Sequence, residues 1–449
     1  MSESRLRVPH PLALLTGCVL LAAAASYVLP AGRFERRFDE GTGRTLVVPG
    51  TYQAVDPDPV NLFEAMVALP RGMADASAVI FLVFLIGGAL TVVDESGALR
   101  RAMPSLIRAM RGRDILIVPV VSLFFAMGGV VQNMQEEIIP LIPVLMILVA
   151  RLGFTPMVAV AMSAGSAFVG SAFSPINPFQ VQIAQKAAEV EPLSGGLFRT
   201  VFLVIALSLW IGFTMRYAAA TRVAPQGVTE DLGDRMTHRD AVVLTMLGAT
   251  FAIMVVGLRY WAWDFDQMSG AFFIMGVVVG LVSRMGVSGT AEAYVKGFRE
   301  MAYAALLIGF ARAISTVLED GLVIDTIVHG MFTPLEELPR VASALGMIVG
   351  QAFLHVPVPS VSGQAVLTMP VLVPLADLLG LSRQVIVLAY QYGAGLCDIV
   401  TPTNGALMAI LAAAGVRFDH WLRFAVPLYA GLVVLGGVSV AVAIAIGLQ

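Results

Sequence analysis

Charge is what this chain has least of. Asp, Glu, Lys and Arg make up only 13% of its 449 residues, about half the share of a typical soluble domain. By contrast 58% are hydrophobic and mean hydropathy is +0.84. That balance excludes a soluble globular enzyme and points to a polytopic membrane protein in contact with a lipid bilayer. A net charge of −3, with no dense run of Lys and Arg beyond the loops between apolar stretches, excludes nucleic acid as a partner. Cysteine is nearly absent. Cys18 and Cys397 both lie in apolar stretches, so neither a disulfide framework nor a thiolate metal pattern is present. The five histidines (His10, His238, His329, His355, His420) are scattered, with no pair at ligand spacing. No cofactor is expected, and neither is an enzyme, since no nucleophile–histidine pairing is seen.

What is abundant is long apolar runs. Residues 10–30 follow Arg5 and Arg7 and end at Pro30-Ala31-Gly32 without a clear cleavage site, so they predict a first membrane helix rather than a signal peptide. Residues 31–70 predict an external loop and 77–94 a second crossing. Arg100, Arg101, Arg108, Arg111 and Arg113 then place the next loop in the cytoplasm. Further crossings are expected at 197–216, 240–258, 267–284, 301–318 and 421–447. The basic segments 216–239 and 284–300 are expected inside, and the acidic one from Glu319 to Glu337 outside. Within 301–318, Arg312 is placed to pair with Glu319 or with a group in another helix.

Two polar interruptions organise the rest. Gly128-Gly129-Val130-Val131-Gln132-Asn133-Met134-Gln135-Glu136-Glu137 lies between apolar arms at 114–127 and 138–150. Pro357-Val358-Pro359-Ser360-Val361-Ser362-Gly363-Gln364 lies between arms at 341–354 and 367–379. Arms of ~14 residues reach ~21 Å as helix, whereas a crossing needs ~20 residues. Each pair therefore predicts a re-entrant hairpin, 114–151 and 341–380. Two crossings carry internal breaks: 156–190 at Ser174-Pro175-Ile176-Asn177-Pro178, and 384–416 at Thr401-Pro402-Thr403-Asn404-Gly405. Leu152-Gly153 and Leu379-Gly380 stand 227 residues apart, and the same offset carries Pro143 onto Pro370 and Ser174–Asn177 onto Thr401–Asn404. Counting crossings, the two copies run in opposite directions. The expected fold is an all-α polytopic membrane protein of about nine crossings plus two hairpins, N-terminus inside, with inverted repeats. The expected divisions are 1–76, first helix and external loop; 77–216, first repeat; 217–300, linking helices and scaffold; and 301–449, second repeat.

Broken helices at membrane depth expose backbone groups that hold ions and charged solutes. The candidate binding residues are Asn133, Gln135, Glu136 and Glu137 at the first tip, and Ser360, Ser362, Gly363 and Gln364 at the second. Ser174 and Asn177 stand at the first break, and Asp398, Thr401, Thr403 and Asn404 at the second. Adjacent carboxylates between apolar arms are costly unless they bind a cation or carry a proton, so Glu136 and Glu137 are the sharpest signal. A Na⁺ site is expected near Glu136, Asn177, Ser362 and Asn404. Asp377 is expected to cap the second hairpin's last arm, and His355 to pack or relay a proton.

Pro30-Ala31-Gly32-Arg33-Phe34-Glu35-Arg36, Val48-Pro49-Gly50-Thr51-Tyr52, Glu136-Glu137, Ile176-Asn177-Pro178-Phe179, Ser362-Gly363-Gln364-Ala365, Met369-Pro370, Pro374-Leu375-Ala376-Asp377, Thr401-Pro402-Thr403 and Trp421-Leu422-Arg423-Phe424 together resemble the YfcC-like transporters of the C4-dicarboxylate anaerobic carrier (DcuC-like) family. The resemblance spans nearly the whole chain. It implies a secondary carrier of the cytoplasmic (inner) membrane, in the ion transporter superfamily, with an elevator-type mechanism and a homodimeric assembly. It also implies dicarboxylates, or arginine–ornithine exchange, as the transported class. Because the candidate site is acidic, an amino acid is favoured over a C4-dicarboxylate, coupled to Na⁺ or H⁺ by symport or antiport. The alternative is a cation/H⁺ antiporter with no organic substrate.

Overall fold

The computed structural model describes residues 10–39, 44–99, 101, 114–191, 193–224, 236–261 and 263–448. The basic stretch 102–113, and Arg5, Arg7, Arg100 and Arg235, on which the expected orientation leans, lie outside the described residues. Among the described residues, eight helices are long and apolar enough to cross a membrane.

The first is α1 (Pro11–Val28). The expected external loop is more structured than its composition implies. Two short antiparallel ribbons, β1 (Gly32–Arg33) with β4 (Gln53–Ala54) and β2 (Arg36–Asp39) with β3 (Arg44–Val47), qualify the all-α expectation. A helix, α2 (Leu62–Asp75), follows. Asn61 and Glu64 form its capping box, in which each side chain bonds the other's backbone N–H. α3 (Ser77–Glu95) covers the second expected crossing.

Next come α4 (Ile117–Gln132) and α5 (Ile142–Leu152), joined by Asn133 in the left-handed region (φ 59°) and a 3₁₀ turn at Glu136–Leu141. α6 (Pro156–Ala172) holds a π turn at Ala161–Gly165. After the break, a π turn at Pro178–Gln182 leads into α7 (Ile183–Ala187). α8 (Gly196–Ala220), α9 (His238–Tyr260) and α10 (Phe265–Val282) follow.

The expected cytoplasmic loop 284–300 does not form. It lies inside α11 (Gly286–Asp320), one unbroken helix of 35 residues, ~52 Å at 1.5 Å per residue. Its charges belong to exposed or paired helical positions, as Lys296 does with Glu95 of α3 at 2.7 Å, and past Gly289 it contains no proline. The expected boundary at 300/301 therefore falls mid-helix. The acidic segment is also partly helical, in α12 (Ile324–Phe332) and a 3₁₀ turn at Thr333–Glu337. Arg312 faces Asp75 of α2 at 3.8 Å.

α13 (Arg340–His355) and α14 (Val361–Leu379) flank the second tip. α14 starts six residues before the expected arm, because Ser360 caps it by accepting the Gly363 N–H. Asp114–Val131 and α14 are each long enough to cross on length and composition, so the arms are less equal than expected. Asp377 pairs with Arg383 at 2.9 Å, while left-handed Gly380 ends the helix. α15 (Arg383–Cys397), α16 (Gly405–Ala413) and α17 (Phe418–Ala445) complete the chain.

At the 227-residue offset the element bounds coincide closely. α2 and α3 fall on α11, α4 on α13, α6 on α15, α7 on α16 and α8 on α17. Gly153 and Gly380 are both left-handed caps, and Asn177 and Asn404 both cap the helix after the break. The packing repeats as well: α4 lies along α6, and α13 along α15. Small residues permit the close approach. Gly129 meets the main chain of Ala167, and Gly170 that of Ala126.

α11 packs against α2 just as closely. A Cβ added at Gly72 would stand 2.6 Å from the Ala313 nitrogen and 2.8 Å from the Gly309 oxygen. Gly72→Val is expected to destabilise by ~1–3 kcal/mol through overpacking, read as a lower Tm in detergent. Gly248→Ala, in open space on α9, is expected to leave Tm unchanged or raise it.

Candidate functional site

Each break is repaired by side chains from its own neighbourhood. At the first, the Asn177 side-chain oxygen accepts from the Phe179 and Gln180 N–H groups, both at 2.9 Å, while its amide donates to Gly129 O at 2.8 Å. Ser174 donates to Val130 O at 2.7 Å. Gln180 donates to Asn133 Oδ1 (2.8 Å) and Ser171 Oγ (2.7 Å), and Ser171 also bonds Asn133. At the second, Asn404 Oδ1 accepts from Leu407 N at 2.9 Å and Thr403 donates to Val356 O at 2.6 Å. Tryptophans of the following helices take up further carbonyls: Trp210 donates to Ala161 O in the π turn at 2.9 Å, and Trp421 to Ile399 O at 2.7 Å.

The two tips meet at a cavity of about 860 Å³. Asn133, Gln135, Glu136 and Glu137 line it from the first tip, and Ser360 and Ser362 from the second. Asp398 reaches it from the second break, Ile176 and Pro178 from the first, and Trp263 to Met268 close one side. Asp398 is 2% exposed and surrounded by donors. Gln135 Nε2 stands 2.8 Å from Oδ2, Asn404 Nδ2 2.6 Å from Oδ1, and His355 Nε2 2.9 Å from Oδ1. Glu136 and Glu137 are half-buried, and Glu137 accepts from Gln135 N at 3.1 Å.

The structure thus brings seven of the sequence-nominated residues to one cavity wall. Asn177, Asn404, Gln364, Ser174 and Thr403 stand behind it as supports. Thr401 is buried at the second break, and Gly363 faces away. Of the nominated Na⁺ ligands, two line the cavity and two stand behind it. The side-chain oxygens of Asn177 and Asn404 are committed to backbone N–H groups, which leaves Glu136 and Ser362 facing the cavity. Sequence reasoning missed Gln351, Gln180 and Ser171. It also missed Arg199, a fully buried guanidinium held by Gln384 Oε1, Gln391 Oε1 and Ser194 O at 2.7–3.1 Å. Gln351 and His355 stand four apart at the end of a helix that is apolar from Ala344 to Gly350, a spacing that puts both on one face.

A second cavity, of about 760 Å³, lies on the other side of the second tip. Arg33, Arg36, Arg312, Glu319 and Asp325 line it together with Gly363, and Ser360 borders both cavities. Arg36 is paired with Asp325 at 2.8 Å. The wall between the two spaces is the tip itself.

Apolar helices long enough to span, two interrupted helices and a cavity lined by carboxylates where the two polar segments meet mark a multi-pass membrane transport protein. The chain belongs to the C4-dicarboxylate anaerobic carrier (DcuC) family, whose model matches residues 8–445. It is 32% identical to the "Putative basic amino acid antiporter YfcC" of Escherichia coli (strain K12), covering 97% of this chain and 96% of that one. It is 29% identical to an uncharacterized protein of Haemophilus influenzae, over 91% of this chain and 84% of that one. Among solved structures, the Alcanivorax borkumensis YdaH transporter is similar with a TM-score of 0.46 at 19% identity, covering 98% of this chain and 99% of that one.

Asn404 both caps α16 and braces Asp398. Asn404→Ala is expected to cost ~1–2 kcal/mol from the lost cap and more from the lost donor, read as a lower Tm. Asn404→Ser, which keeps the capping oxygen, is expected to recover part of that loss.

Proposed function

We propose that this protein is a secondary active transporter of the cytoplasmic membrane that carries a cationic or zwitterionic amino acid by alternating access. The observation that carries this reading is the charge of the main cavity. Glu136, Glu137, Asp264 and Asp398 line it, and no Lys or Arg does among the described residues. A dicarboxylate would want guanidinium or ammonium partners there, whereas an ammonium or guanidinium group finds its complement in these carboxylates. The substrate's own carboxylate would sit at the first turn of α14, at Val361 and Ser362, where a helix N-terminus favours an anion.

The relative whose name refers to basic amino acid antiport supports this choice and favours exchange over uptake. The coincident element bounds support inverted repeats, and the tip shared by two cavities supports a gate there. An elevator movement of the tips and broken helices against α1–α3 and α9–α11, in a homodimer with the N-terminus inside, completes the proposal. A second reading, C4-dicarboxylate transport, has the family's name and the guanidiniums of the second cavity in its favour.

Thermal unfolding of the purified protein in detergent, with arginine, ornithine or succinate, each in Na⁺ and in K⁺, tests the choice. A ligand of the native state at 100 times its Kd stabilises by about 2.7 kcal/mol. Arginine or ornithine is expected to raise Tm, and Glu136→Gln to shrink the shift. A rise with succinate alone would overturn the amino acid reading, and a rise with Na⁺ but no organic solute would favour the cation/H⁺ antiporter.

A further inference from the structure

The hydrogen bonds around His355 and Asp398 can be assigned a direction, because main-chain groups pin both ends of the chain they form. At one end, the Leu407 N–H holds Asn404 Oδ1 at 2.9 Å, so the Asn404 amide nitrogen must face Asp398. That nitrogen also reaches Gln135 Oε1 at 3.2 Å, which turns the Gln135 amide nitrogen toward Asp398 Oδ2 at 2.8 Å. At the other end, the Gln351 main-chain carbonyl accepts from Gln364 Nε2 at 2.6 Å, as does Gln351 Oε1 at 2.6 Å. Gln364 Oε1 therefore points at His355 Nδ1, 3.1 Å away. Gln351 is itself oriented by donating to Thr368, whose hydroxyl donates to Gln364 O.

Nδ1 thus faces an acceptor and must carry a proton. Nε2 faces Asp398 Oδ1 at 2.9 Å, a carboxylate oxygen, and that contact also needs a proton between its two atoms. A neutral imidazole beside an ionised Asp398 supplies only one of the two. The pair must hold one more, whether as imidazolium and carboxylate or as neutral imidazole and carboxylic acid. Both side chains are buried, at 0% and 3% exposure.

We infer that His355 and Asp398 form a proton-carrying site, loaded in this structure, and that the protein exchanges protons for its cationic substrate there. The geometry supplies the coupling. Asp398 borders the main cavity, but His355 stands behind it, at the end of α13. A cationic substrate reaching Asp398 takes over the charge that the proton supplies. The Nε2–H bond, or the Oδ1–H bond, then breaks and the proton passes to water in the cavity. Without it, the Nε2 lone pair would face Asp398 Oδ1 at 2.9 Å, so α13 and the second tip separate from Asp398. Proton loss and movement of the gate are thereby one event.

Other titratable groups stand on the elements packed around the pair. Glu136 and Glu137 face Asp398 across the cavity. Cys397 bonds Tyr429 of α17 at 3.3 Å, Tyr392 bonds Ser439 at 3.0 Å, and Tyr390 donates to Val361 O. Asp325 of α12 is held by Arg36 and Asp377 of α14 by Arg383, while His329 stacks on Tyr52.

The exchange rests on the proposed cationic substrate, but the proton site does not, and two experiments separate them. In the full chain with His10, His238, His329 and His420 replaced by Gln, the single ¹⁵N-labelled imidazole is His355. At neutral pH its two nitrogens are expected to be protonated, or one of them together with an infrared carboxylic acid band that Asp398→Asn removes. A neutral imidazole with no such band would overturn the proton site, whatever the substrate. In proteoliposomes containing a pH-sensitive dye, arginine influx through the wild-type protein is expected to drive proton efflux. His355→Gln is expected to lose at least tenfold in proton movement per arginine moved, at whatever rate arginine itself crosses. Equal proton movement in the variant would overturn the inference. If arginine neither binds nor moves while the imidazole carries its extra proton, the substrate reading and the exchange fail and the proton site stands.

Discussion

An interrupted helix inside an apolar molecule leaves amides and carbonyls that water cannot reach, and the cost of each is several kcal/mol in a hydrocarbon setting. Among the described residues, two such interruptions stand at 173–177 and 398–404. Several buried polar side chains near them answer that cost. Asn177 and Asn404 cap the helices that restart, Ser174 and Thr403 reach the carbonyls of the neighbouring hairpins, and Trp210 and Trp421 each bring an indole N–H to a carbonyl of the broken segment. The two indoles lie 6.4 Å apart, so α8 and α17 meet where they serve these two helices.

With Asn177, Asn404, Ser174 and Thr403 committed to the backbone, the charged side chains that line the cavity are carboxylates. Glu136, Glu137 and Asp398 face it, and the neutral groups around Asp398 turn their donors inward because their oxygens are already engaged. The charge of the site is thus a consequence of how the breaks are repaired. On the far side of the second tip the balance differs, with Arg33, Arg36 and Arg312 beside Glu319 and Asp325. Ser360 borders both spaces, and that single layer of chain separates two regions of unlike charge.

Much of this was legible in the linear chain. Proline pairs, paired asparagines and a diglutamate between apolar arms have few roles in a membrane protein, so the breaks and tips could be located within a few residues. Other parts were not. α2 and the first half of α11 carry charged residues, which by composition look like loop. They are helical because each packs on a facing helix, through Gly72 against Gly309 and Ala313, and through Lys296 with Glu95. For Arg312 the sequence left open Glu319 on its own helix or a group in another helix, and it faces Asp75 of α2, since a long side chain reaches sideways as readily as along the axis.

The sequence by itself determined the class of protein, the places where helices must break, and which residues are polar enough to mend them, because hydropathy and proline act locally. Tertiary structure alone decided which of those residues face solute and which face backbone. Asn177, Asn404 and Gln364 have the composition of ligands and the positions of supports. Asp398 and His355 are separated by 43 residues and gain their meaning at 2.9 Å. The direction of a hydrogen bond, and with it the number of protons a buried pair must hold, depends on the whole chain of partners out to the main-chain groups that anchor it, and no local pattern of residues encodes that.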